Sequence, residues 1–234
     1  MSRLSTPEAR QAALRSSAWF AGLGAELQQW IAQTARPRAL VAGQRLFGRG
    51  DLPDGLYFVV DGAIRMTNTS ADGRQALLAI AESPQWFGEV ALFDPQPHMH
   101  DAWIDTDTLL LQIRHPELHA FLAGHPAHWQ AFGQLIAQKL RLAFQAIEGT
   151  VLLPAPLRLA QRLLAIAGGY GARSDGSKRV IRVQQDQLGA MLSISRQTVN
   201  QILKDLEGRG LLHCARGSIE ITDFAGLRRF AGSV

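Results

Sequence analysis

Residues 193–212 read SISRQTVNQILKDLEGRGLL. Val199, Ile202, Leu203 and Leu206 fall at i, i+3, i+4 and i+7, one buried stripe of a helix. Arg196, Gln197, Asn200, Gln201 and Lys204 take the other side, an arc of roughly 140° at about 100° per residue. Ser195 is a good N-cap for this helix, and Gly208-Arg209-Gly210 stops it. Just upstream, QDQLGAML (185–192) offers a second helix with Leu188 and Leu192 apolar. Gly189 is small where the two helices would cross closely. Ser193-Ile194-Ser195 makes the turn, with Ile194 available to plug between them.

The polar face has a chemistry of its own. Arginine can grip guanine through O6 and N7, and asparagine or glutamine can grip adenine through N6 and N7. An α-helix fits the major groove, and its first turns usually read the bases. A merely solvated face more often carries Glu and Lys in i,i+4 pairs. Here the first two turns hold no acid, and Asp205 and Glu207 come only at the end. The reading is double-stranded DNA, contacted by Ser195, Arg196, Gln197, Thr198, Asn200, Gln201 and Lys204.

Working outward, residues 1–149 carry 12 Lys/Arg against 14 Asp/Glu, and residues 150–234 carry 12 against 6. A mildly acidic front and a basic back suggest that the back meets a polyanion. No run of about 18 apolar residues is present, so no membrane span is expected. The N-terminus lacks the continuous apolar core of a secretory signal, and a cytoplasmic location is the expectation. The single cysteine, Cys214, speaks against a disulfide framework, an iron–sulfur cluster or structural zinc. Nucleophile elbow, P-loop, dinucleotide fingerprint and zinc-protease motifs are absent, so an enzyme is not expected.

Residues 4–35 read as helical up to Pro37. From 38 to 113 the apolar period shifts to two: GLYFVV, Asp61-Gly62, AIRMTN, then Asp72-Gly73 and QALLAI, with AWID and TLLLQIR as two more strands. Asp-Gly between alternating runs is a strong hairpin signal, and many short strands suggest a sandwich or barrel. Helical periodicity returns after Pro116. Within 126–154, Ile136, Leu140, Ala143, Ile147 and Thr150 step by 4, 3, 4, 3, an a/d seam open to two readings: a dimer contact or packing on the chain's own barrel. LLPAPLR (152–158), with Pro154 and Pro156, reads as a hinge. A helix at 157–167, a strand RVIRV, the two helices and a hairpin around Arg216-Gly217 complete the chain.

At this point the sequence resembles the Crp/Fnr transcription regulators. Residues 184–222 look like their winged helix-turn-helix, with Arg216 on the wing; 38–113, including FGEVALFD (87–94), look like their cyclic-nucleotide-binding β-roll; and the later helix looks like their dimerisation helix. The resemblance implies an α+β fold. Its parts would be a double-stranded β-helix (jelly-roll-like) sensor at 1–126, a dimerisation helix at 127–153 and a winged helix-turn-helix at 154–234. It implies a homodimer on two-fold symmetric DNA, joined through Ile136, Leu140, Ala143 and Ile147, with RNA polymerase a further partner for an activator. Gln197 and Gln201 sit where many members have Glu and Arg, so a different half-site is expected.

The resemblance also implies an effector pocket. Gly88 and Glu89 match the family's ribose-binding pair. His100 takes the place of the phosphate-binding Arg and Asp101 that of the hydroxyl, a poor exchange for an anion. Ala143 and Phe144 fall where cyclic-AMP-responsive relatives place Thr and Ser against the adenine. A signal other than cyclic AMP is therefore expected. The alternatives are a constitutive regulator with a dead pocket, or a cyclic-AMP-responsive member with an altered phosphate site. Six of the seven histidines (98, 100, 115, 119, 125 and 128) lie close in sequence. They leave haem or another small effector open, although no metal site is assigned.

Overall fold

The computed structural model describes residues 4–69, 72, 75–169, 180–181, 183–215 and 217–232. Two compact units divide within one long helix, between Leu140 and Arg141.

The first unit opens with three helices where one helical pattern was expected: α1 (Pro7–Leu14), α2 (Ala18–Ala21) and α3 (Ala25–Thr34). The breaks are local. Ser17 caps α2 by accepting from Phe20 N, and Gly22 and Gly24 end α2 and start α3. The strands are β1 (Arg36–Leu40), β2 (Arg45–Phe47), β3 (Gly55–Thr69), β4 (Gln75–Glu82), β5 (Gln85–Phe87) and β6 (Asp101–Arg114). They form one sheet in the order β1-β6-β3-β4, with β2 on β6 and β5 on β3.

Two sequence expectations are corrected here. GLYFVV and AIRMTN are not a hairpin but one strand of 15 residues, β3, and AWID and TLLLQIR are one strand of 14, β6. Asp61-Gly62 is a bulge: the β3–β6 register shifts between Val59 and Asp61, again by Ala63, and again by Ile64. Gly62 has φ +91°, and a Cβ there would lie 2.4 Å from the Asp107 carbonyl oxygen. The left-handed glycine bends the strand against its partner and does not reverse it. Gly73, in the expected second turn, lies outside the described residues.

Both faces of β3 are buried. Leu56 and Phe58 join a cluster with Phe20, Ile31, Trp86, Leu118 and Phe132, while Tyr57 and Val59 join Phe47, Phe87, Ile104 and Leu110 in a second. Period-two alternation thus feeds the core between roll and helices on one side and the roll interior on the other. Then follow α4 (His115–Gly124), a 3₁₀ turn at 126–128 and α5 (Trp129–Leu152), near the expected 127–153 helix. Trp86 Nε1 donates to Ser17 Oγ at 3.0 Å, and Trp19 Nε1 donates to the Ala131 carbonyl at 2.8 Å.

The second unit holds α6 (Ala155–Ala167), β7 (Val180–Ile181), α7 (Gln185–Leu192), α8 (Arg196–Gly208), β8 (Leu212–Ala215), β9 (Ser218–Ile221) and α9 (Phe224–Phe230). The small antiparallel sheet runs β7-β9-β8. Leu159, Leu163, Leu188, Val199, Leu203, Leu206, Ile219 and Leu227 form its buried interior.

Gly62 and Gly43 separate two costs. Both have positive φ, but a Cβ added to Gly43 would meet nothing within 4 Å. Gly43→Ala should cost about 1–2 kcal/mol of strain. Gly62→Ala should cost more than about 2 kcal/mol, because the Cβ also meets β6. Urea unfolding of both variants reads this directly, and equal losses would mean that the bulge is slack.

Candidate nucleic-acid interface and effector pocket

The turn between α7 and α8 is built as its residue types demand. Ser193 adopts φ 54°, and a Cβ on Gly189 would lie 2.8 Å from the Ile194 carbonyl oxygen, so only glycine allows this crossing. Ser195 caps α8, its Oγ accepting from Thr198 N at 3.0 Å and lying 2.8 Å from Thr198 Oγ1. Gln184 and Gln187 close a capping box on α7. Val199, Ile202, Leu203 and Leu206 are buried, and Arg196, Gln197, Gln201 and Lys204 are exposed, with Asn200 half-buried. Those five polar side chains ring one shallow concavity.

The nearby acids are occupied. Asp205 pairs with Arg209 at 2.9 Å. Glu207 accepts from Cys214 N at 2.9 Å and meets His213 Nδ1 at 2.9 Å, which ties α8 to β8. Asp186 stands 3.5 Å from Arg196 Nε. Gln197, Asn200, Gln201 and Lys204 have no side-chain partner among the described residues. The face therefore offers amide and ammonium groups with nothing among the described residues to consume them. The hairpin β8–β9 pairs Ala215 with Ser218, with Gly217 at φ +76°. Arg216 lies outside the described residues.

In the first unit, Gly88 has φ +93°, and a Cβ on it would lie 2.5 Å from the Gly55 carbonyl oxygen. It aims Glu89 inward, where only 3% of the residue is exposed. Lys139 of α5 meets it: Nζ donates to Glu89 Oε2 at 2.7 Å and to the Trp86 carbonyl at 2.6 Å. The sequence reading missed Lys139. Its signal was there: Phe132, Leu135 and Lys139 step by three and four along α5, a lone cation continuing a buried stripe. Such a cation needs a buried acid.

Burial pushes the His100 imidazolium below its ordinary pKa, while Asp101 and Glu89 pull it back. Asp101, the first residue of β6, accepts from Arg49 N at 2.9 Å, so its carboxylate is tied to the turn after β2. Glu89, His100, Asp101 and Lys139 thus share one electrostatic neighbourhood. Ala143 and Phe144 stand exposed on α5, in the second unit. Along α5, Leu140, Phe144, Ile147 and Val151 are 53–75% exposed and step by 4, 3, 4, while Ile136 is half-buried. The apolar seam is uncovered, and it passes through Phe144 as well as Ala143.

The histidines occupy several neighbourhoods. His98 stacks on Phe47 at 3.7 Å, His115 lies 6.0 Å from His119, and His125 and His128 both face Glu26. Among the described residues, no three His, Cys, Asp or Glu side chains are placed to hold a metal ion. No described helix is long and apolar enough to cross a membrane.

Taken together, the second unit is a winged helix-turn-helix and the first a β-roll with a glycine-led acidic turn. Known proteins agree. Residues 37–125 match the cyclic nucleotide-binding domain and residues 157–230 the Crp-like helix-turn-helix domain. A CRP-like cAMP-activated global transcriptional regulator of Mycobacterium tuberculosis is 27% identical over 202 residues, covering 86% of this chain and 90% of that one. The cyclic AMP receptor protein of Thermus thermophilus is 26% identical over 218 residues, covering 93% and 98%. FixK2 of Bradyrhizobium japonicum shares the fold at a TM-score of 0.72 with 20% identity, over 83% of this chain and 96% of that one. A CRP/FNR-family transcriptional regulator of Thermus thermophilus superposes at 0.63 with 26% identity, over 85% and 99%. The chain belongs to the Crp/Fnr family: it is a DNA-binding transcription regulator with a cyclic-nucleotide-binding domain. Regulators of this family bind DNA and are typically dimers.

Two outcomes follow from the pocket. Lys139→Met leaves a buried carboxylate unpaired and should cost about 3 kcal/mol, whereas Glu89→Gln with Lys139→Met should recover most of it. Thermal unfolding of both checks this; a harmless single change would mean that water replaces the ammonium. Burial also holds His98, His100 and His115 below their ordinary 6.5. The unfolded chain then takes up protons at these sites first, so stability is present above pH 6.5 and falls below it. Urea midpoints should drop between about pH 7.5 and about pH 5.5, less steeply for His115→Gln.

Proposed function

We propose that the chain acts as a homodimer on a two-fold symmetric DNA site, with α8 in the major groove and α5 as the dimer seam. Its domains divide at about 126 and 153: sensor, seam and DNA reader. The observation that carries this is the α8 face, whose Gln197, Asn200, Gln201 and Lys204 stand unpaired while every nearby acid is engaged. Arg196 fits a guanine contact and the two glutamines favour adenine. The exposed stripe Leu140, Phe144, Ile147 and Val151 has heptad spacing, which suits a parallel partner helix. An oligomer of this kind matches protein symmetry to operator symmetry.

The signal is not cyclic AMP in the family's usual mode. A buried, neutral-leaning His100 and a carboxylate at Asp101 stand where a cyclic phosphate would need charge-assisted donors. A second reading has its own support: the left-handed Gly88 and buried Glu89 keep the shape of a hydroxyl-binding turn, and the Mycobacterium tuberculosis relative is named as cAMP-activated. That reading is a cyclic-AMP-responsive regulator with an altered phosphate site.

Selection from random duplexes should return a symmetric site. On it, Arg196→Ala should lose about ten- to a hundredfold in affinity, the worth of a bidentate base contact, and Lys204→Ala should lower the salt slope by about one. Equal losses on unrelated DNA would remove Arg196 from base reading. Micromolar cyclic AMP should leave operator affinity unchanged; a gain of allosteric size, about fivefold or more, would establish the second reading.

A further inference from the structure

Arg158, near the start of α6, has a buried Nε with no hydrogen-bond partner, and its Nη1 reaches only the Leu192 carbonyl at 3.4 Å. No carboxylate among the described residues lies within ion-pair distance of Arg158 or of Arg162, one turn further on. A buried guanidinium N–H without an acceptor is costly, and natural structures rarely leave one so.

Arg158 lines a hollow of about 680 Å³ between the last turns of α5 and the first turns of α6. Small-molecule sites fall within about 300–1,000 Å³. Leu142, Leu153, Leu157, Leu164 and Leu192 supply apolar wall. Gln161 is already engaged, since its Nε2 donates to the Ala231 carbonyl at 3.1 Å. Glu148 also borders the hollow, but it makes no ion pair with Arg158. The seam reaches one edge of the hollow at Thr150. Leu142 and Gly149 lie about 160° around α5 from Leu140 and Ile147 at 100° per residue, so a helix laid on that seam leaves their side of the hollow open.

We propose that this hollow is a binding site for a small monocarboxylate with an apolar tail. The carboxylate sits on the Arg158 guanidinium, which can take it through two parallel N–H bonds, and the tail displaces water from the leucines. The same occupant holds α5 and α6 apart at the Pro154 turn. It is a second input, on the DNA-reading unit itself, independent of whatever the β-roll senses and of how α8 reads bases.

The test titrates the full-length chain with decanoate and with decanol, the same tail without the charge, by calorimetry below their aggregation limits. Decanoate should bind at least about tenfold more tightly than decanol, the size of a lost charge-assisted bond. Arg158→Gln should bring the two together, and Ala165→Phe, which fills the hollow from α6, should weaken both. Melting curves confirm that each variant is folded; the comparison of the two ligands on the unaltered protein stands without them. Absence of decanoate binding overturns the proposal. So does equal binding of decanoate and decanol, or decanoate binding that Arg158→Gln leaves unchanged.

Discussion

The antiparallel ladder between β3 and β6 sets the position of everything in the first unit. It runs from Gly55 opposite Arg114 to Thr67 opposite Asp101, and both faces of β3 are buried. A strand buried on two sides cannot slip by one residue without exchanging its cores. The bulge at Gly62 lets so long a pair curl and still keep both faces filled. From β3 the constraint passes to β5, through Tyr57 opposite Phe87 and Val59 opposite Gln85. It ends at Gly88, pressed so close to the Gly55 carbonyl that no other residue fits. Glu89 is therefore aimed by the ladder, and the pocket is only as well formed as that pairing.

The parts of this chain legible from sequence are those whose causes are local. The α8 stripe, the Ser195 cap and the close crossing at Gly189 all involve neighbours within a few residues, and the structure bears each out. The strands were read as too short because Asp-Gly serves two purposes with one backbone conformation. A left-handed glycine closes a hairpin or makes a bulge, and the difference lies in a partner strand some 45 residues away, where Ala63 faces Thr106. The Glu89–Lys139 pair has the same character, since its members stand 50 residues apart. The two glycines that split the first helical pattern were visible, but three short helices and one long one share the same apolar spacing.

Charge is handled differently in the two units, and that difference organises the functional reading. In the β-roll, the buried acid is answered from within the unit by a single lysine, and Asp101 is answered by a backbone N–H. The Lys139 ammonium is thereby shared between the Glu89 carboxylate and the Trp86 carbonyl. Any effector here must gain more from the pocket than it loses in separating Glu89 from Lys139, or bind without separating them.

In the DNA-reading unit the balance is left open. Acids on and beside α8 are engaged locally: Asp205 steadies Arg209, Glu207 holds β8 through Cys214 N, and Asp186 orients Arg196. Had Asp205 and Glu207 been free, their charge would have repelled a phosphate backbone. Engaged as they are, they stiffen the helix and leave Gln197, Asn200, Gln201 and Lys204 without side-chain partners among the described residues. The cost of an unsatisfied polar face is small in water and is offset only on contact with a surface rich in acceptors. A groove edged by base acceptors and phosphates is such a surface, which is why the polarity of this helix carries information about a partner and not merely about solubility.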